Sequence, residues 1–155
     1  MERPASAPCC PTGARRAFRS TALRHPWLSS VLGQAGLAYL GPNLMAFSER
    51  LAALFKAAGF ARPSGPIDTL LSYVIGMSTT EAAWLTTVAR SGETEADFIA
   101  RLMPAAQQAA AAHELLAEGY AEALTATTDP LALRDEKFAY GLEVVLDGLA
   151  LRLNR

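Results

Sequence analysis

The chain has 155 residues, about half of them apolar, with a formal charge of −1 at pH 7 and two cysteines. That length suits one domain with a sizeable core, and the near-neutral charge argues against a surface built mainly for nucleic acid. No apolar run approaches the roughly 20 residues needed to span a bilayer, and no apolar stretch of secretory type follows the basic N-terminus. Cys9 and Cys10 are adjacent and have no third partner, so neither a disulfide framework nor a cysteine metal set is available. The expected location is the cytoplasm.

In chain order, residues 1–13 are rich in Pro, Ala, Ser and Cys and read as a disordered leader, with one folded domain over 14–155. Five arginines (Arg3, Arg15, Arg16, Arg19 and Arg24) stand against one acid up to Arg24. This basic end reads first as a solvated leader and second as a phosphate-facing edge. A first helix begins near Ala14 and breaks at His25-Pro26, because proline has no N–H to donate. A second opens at Gly41-Pro42 and carries Leu44, Phe47, Leu51, Leu54 and Phe55 at steps of three and four. Gly59 supplies its left-handed end and Phe60 the apolar contact that follows such an end.

The third helix starts at Ser64-Gly65-Pro66 and keeps helical period through Ile67, Leu70, Leu71, Val74, Ser78, Ala82 and Leu85 to about Val88, closing at Ser91-Gly92. Residues 94–127 read as helical but weakly patterned, a mobile or variable connection containing Pro104 and an alanine run. Asp129-Pro130 turns the chain, and the last helix spans Arg134 to Leu153 with Phe138, Leu142, Val145, Leu146, Leu149 and Leu153 on one face. No segment alternates with period two, so the chain is all-α.

Two glycines, Gly141 and Gly148, lie seven apart on the apolar face of the last helix. Each costs about 1 kcal/mol against alanine inside a helix, which suits either a close self-association or a tight contact within one subunit. The histidines His25 and His113 have neither a nearby nucleophile nor a second ligand at helical spacing. Glu114, Glu118 and Glu122 form a like-charged, solvated helix face. These patterns give no catalytic apparatus, and the chain is expected not to be an enzyme.

The string Phe138-Ala-Tyr-Gly-Leu-Glu-Val-Val-Leu-Asp-Gly-Leu149, through Leu153, resembles the final helix of the regulatory domain of TetR-type transcriptional repressors, particularly the tetracycline-repressor branch. Leu23-Arg-His-Pro-Trp-Leu28, Gly41-Pro-Asn43, Gly59-Phe60 and Leu70-Leu-Ser-Tyr-Val-Ile-Gly76 with Glu81 look similar in the same order, so the resemblance covers roughly Ala14 to Leu153.

The resemblance implies a C-terminal ligand-binding and dimerising domain, a homodimer closed by a four-helix bundle, taking part in negative regulation of transcription. The implied contacts between copies are Leu71, Val74, Ser78, Leu85, Phe138, Gly141, Leu142, Val145, Gly148 and Leu149, and such interfaces bury about 2,000 Å² or more. The implied effector is a hydrophobic small molecule. Its lining set is Tyr73, Met77, Thr80 and Trp84 on one face of the third helix, with Phe18, Asn43 and Phe47; any one of these taken singly reads first as ordinary core. Tyr39 and Leu40 stand where metal–tetracycline binders carry a histidine, so no metal or other cofactor is expected. Only about thirteen residues precede the first helix, too few for a helix-turn-helix, so DNA would be read by a module missing here and the reading frame is expected to be truncated or mis-started. The alternative is a free-standing helical dimer that binds or scavenges small molecules without a transcriptional role.

Overall fold

The computed structural model describes residues 12–28, 41–125 and 129–153. Among them every regular element is helical: α1 (Thr12–Arg24), α2 (Pro42–Ala57), α3 (Ser64–Ser91), α4 (Glu95–Ala110), α5 (Glu114–Thr125) and α6 (Pro130–Leu153). None of them is long and apolar enough to cross a membrane. The all-α expectation holds. Most of the leader expected over 1–13 lies outside the described residues, but Thr12 and Gly13 already form the first turn of α1.

The helix ends follow their local chemistry. His25 leaves helical geometry directly before Pro26, and a further helical turn over 26–28 is closed by Leu28 N–H on the His25 carbonyl at 2.8 Å. Gly41, with φ +87°, precedes Pro42 at the start of α2. At the other end the Gly59 N–H reaches the Lys56 carbonyl at 2.9 Å and the Phe60 N–H the Phe55 carbonyl at 3.0 Å. This is the double closure of a Schellman turn, which needs the left-handed φ of +106° found at Gly59. Phe55 and Phe60 meet edge to face, ring centres 5.4 Å apart, as the apolar contact across it.

The stretch read as a variable connection is two defined helices. Thr94 caps α4, accepting from the Asp97 N–H at 3.2 Å while its own hydroxyl donates to the Asp97 carboxylate at 2.6 Å. Glu95 and Asp97 place negative charge at the positive end of the helix dipole. With the cap in place α4 runs through Pro104, which forfeits one backbone N–H but does not end the helix. The His113 carbonyl opens α5 by accepting from the Ala117 N–H at 2.9 Å, and α4 and α5 pack on each other. Helix α6 begins at Pro130, four residues earlier than the apolar pattern starts, because the Asp129 side chain accepts from the Leu131 N–H at 3.3 Å and proline occupies the first helical position.

The chain divides into two compact units, one running to Ala82 and resumed from Val145, the other Ala83–Val144. In the first, the core is Ala22, Leu51, Leu70, Leu71, Val74, Ser78, Ala82 and Leu149. Its most enclosed side chains are small: Ala22 and Ser78 are each 1 % exposed. Beside them Arg19 of α1 grips Glu81 of α3 with two parallel bonds, Nε–Oε2 at 2.6 Å and Nη2–Oε1 at 2.7 Å. Arg19 is therefore a structural cation and not part of a phosphate-facing edge. In the second unit Val88, Phe98, Ala110, Phe138 and Leu142 are buried. There the Glu95 carboxylate accepts from the Trp84 indole N–H at 2.6 Å and from Arg134, tying α3, α4 and α6 together. Trp84 stacks edge to face on Phe98 at 5.3 Å, and the Arg101 guanidinium lies 4.9 Å from the centre of the same ring.

Candidate ligand cavity and the expected site residues

The first unit contains a half-open cavity of about 210 Å³. Helix α2 contributes Leu51, Leu54 and Phe55, the turn after it Ala58 and Phe60, α3 only Leu70 at its beginning, and the closing turns of α6 Leu146, Leu149, Ala150 and Leu153. The Schellman turn sets one wall, since it brings Phe60 back over Phe55. It also brings Gly59 against α6: a Cβ at that glycine would stand 3.6 Å from Leu153 Cδ2. Every side chain of the lining is apolar, so the cavity offers shape and dispersion but neither charge nor hydrogen bonds.

None of the seven expected ligand-lining residues belongs to this cavity. Phe18, Phe47, Tyr73, Met77 and Trp84 are half-buried, while Asn43 and Thr80 are exposed. Thr80 returns its hydroxyl to the Gly76 carbonyl at 2.9 Å, one turn back on its own helix. Trp84 belongs to the second unit, where its only polar atom is committed to Glu95. The ridge Tyr73–Met77–Thr80–Trp84 is regular in spacing, and spacing alone does not say which ridge of a long helix borders an opening. Leu54, Leu146 and Leu153 of the cavity lining lie on the apolar faces that the spacing marks on α2 and α6, while Ala150 carries no apolar signal of its own.

The residues expected between two copies differ in exposure within one chain. Leu71, Val74, Ser78, Phe138, Leu142 and Leu149 are buried within one chain, Leu85, Gly141 and Val145 are half-buried, and only Gly148 is exposed. The six buried ones have little surface left to offer a partner. Periodicity found the inward ridge of each helix, because that ridge is the most regular one. Along α6 the outward apolar residues are instead Tyr140, Val144 and Leu151, at helical spacing with Gly148, where a Cβ would meet nothing within 4 Å.

His25 and His113 are both exposed, as are Glu114, Glu118 and Glu122. No cluster among the described residues could hold a metal ion. Tyr39, Leu40, Cys9 and Cys10 lie outside the described residues. On the surface Arg101 clasps Glu93 at 2.8 Å, and this hydrogen bond holds the Glu93 carboxyl below its ordinary value and raises the Arg101 guanidinium.

Compared with curated proteins, the chain matches none. A family model does match, covering residues 12–153 and so every helix described above. The chain belongs to the family of tetracyclin repressor-like C-terminal domains.

Proposed function

We propose that this chain is the effector-sensing, dimerising regulatory domain of a TetR-type transcriptional repressor. It would bind a hydrophobic small molecule, pair with a second copy, and act on transcription through a helix-turn-helix module that the match at 12–153 does not include. The observation that carries this reading is the family match over 12–153, which takes in every described helix. Two features support it. The outward face of α6 exposes Tyr140, Val144 and Leu151 beside a glycine with open space around it, and exposed apolar surface of this kind is a usual mark of an interface. The fold also carries an apolar cavity between its helices.

In mechanism, the effector must bind one packing of the dimer more tightly than another, since a ligand of equal affinity shifts nothing. A hundredfold preference is worth about 2.7 kcal/mol, enough to move a nearly balanced pair of states decisively. The change in helix packing then alters the spacing of the DNA-reading modules.

Sedimentation of the purified chain tests the reading most directly: a dimer at micromolar concentration is the expected result, and a monomer at every concentration would overturn it. A thermal-shift screen of hydrophobic metabolites and drugs should give at least one stabilising compound. In gel shifts the chain alone should show no sequence preference at physiological salt, and a footprinted site would contradict the assignment of DNA reading to another module.

A further inference from the structure

We propose that the cavity walled by α2, the Gly59 turn and the end of α6 is a binding site for small uncharged hydrocarbon-like molecules, the size of one aromatic ring or a short alkyl chain. The inference deepens the regulatory reading by naming a place and a ligand class, and rests on that reading for its meaning in transcription. The binding itself does not depend on it.

Size argues first. An apolar cavity of about 150 Å³ stays dry and takes benzene or xenon, and this one measures about 210 Å³. One ring with a short substituent fills that volume, and a larger guest would extend through the open side into water. The chemistry of the wall argues second. Leu54, Phe60, Leu70, Leu146 and Leu153 present no donor or acceptor, so any charged group that entered would give up its water without replacement. Preorganisation argues third. Phe60 is held over Phe55 by the two backbone hydrogen bonds of the Gly59 turn and an edge-to-face contact, so that wall loses little freedom when a guest enters, while Leu54 and Leu153 at the open side remain exposed. The ligand then bridges the end of α2 and the closing turns of α6, the same helix whose outward face carries the exposed apolar residues.

The test uses the whole chain and three probes: toluene, naphthalene and benzoate. Toluene at tenfold its dissociation constant should raise Tm by about 3–6 °C, and benzoate at the same concentration, the same ring with a charge, should raise it less. Ala150 lies at the exposed edge of the cavity, so Ala150→Trp should fill it and abolish the toluene shift while the melt stays cooperative. Leu146→Ala, which enlarges the space, should move the preference from toluene towards naphthalene. The proposal is overturned by a toluene shift that is absent, that benzoate equals, or that survives in Ala150→Trp. It is equally overturned if the shift disappears as protein concentration rises, because a second copy then occupies the cavity. A monomer that still binds toluene removes the regulatory reading and keeps the site; a dimer that binds none of the probes does the reverse.

Discussion

Gly148 separates the two possible uses of α6. Glycine inside a helix costs about 1 kcal/mol relative to alanine, and the position is exposed, with nothing within 4 Å of where a Cβ would stand. Within a single chain, Gly148→Ala should therefore stabilise by about 1 kcal/mol, a rise in Tm of about 2–4 °C for a domain of this size. If the outward face of α6 meets its copy, Gly148→Leu must behave differently. Overpacking a well-filled contact costs about 1–3 kcal/mol, and a two-fold axis presents the substitution twice. The smallest expected penalty is then about 2 kcal/mol, or roughly 30-fold in the dimer dissociation constant. Sedimentation velocity over a range of concentrations measures that constant, and denaturant melts of both variants measure the chain's own stability. A Gly148→Leu protein that dimerises as tightly as the parent, with Gly148→Ala stabilised, would refute the placement of a second copy on this face.

Three further outcomes follow from named contacts. Arg19→Met leaves Glu81 without its two-bond partner at a site where the side chains are 12 % and 8 % exposed; urea melts should show a loss of about 3 kcal/mol, mostly recovered in Arg19→Met/Glu81→Leu. Ser78 is buried and its hydroxyl has no hydrogen-bond partner among the described residues, so Ser78→Ala should stabilise by about 1 kcal/mol, and a loss in the same melts would show that the hydroxyl is satisfied. The Glu93 carboxyl is held below its ordinary value by the Arg101 hydrogen bond. Its contribution is therefore complete above the unfolded carboxylate value of about 4.3 and lost as pH falls through the lower folded value. Arg101→Gln should flatten that part of the stability–pH curve, and high salt should flatten it in the parent as well.

The parts of the fold legible in the sequence are those written in local chemistry. Gly59-Phe60 announced the end of α2, Pro26 the end of α1, and the period from Ile67 to Leu85 the length of α3, because each acts through its own backbone or through one face of one helix. The region 94–127 is harder to read: its apolar period is weak, and the Thr94–Asp97 cap that starts α4 is a polar signal outside any apolar count. The site was less legible still. Whether Leu71 faces its own chain or a second copy depends on which of several apolar ridges turns inward, a three-dimensional competition that spacing cannot decide. The cavity was invisible for a related reason, since Leu54, Leu70 and Leu146 are far apart in sequence and adjoin only after α2 and α6 are docked.

The chain's two tryptophans fall one to each compact unit. Trp27 is 63 % exposed, and Trp84 is half-buried against Phe98. Nature has thus fitted each unit with its own optical label, a water-bathed indole in the first and a sheltered one in the second. Emission colour, read along a denaturant titration, reports the two independently. If both signals change at one midpoint the chain melts as a single cooperative body; if they part, each unit has a stability of its own.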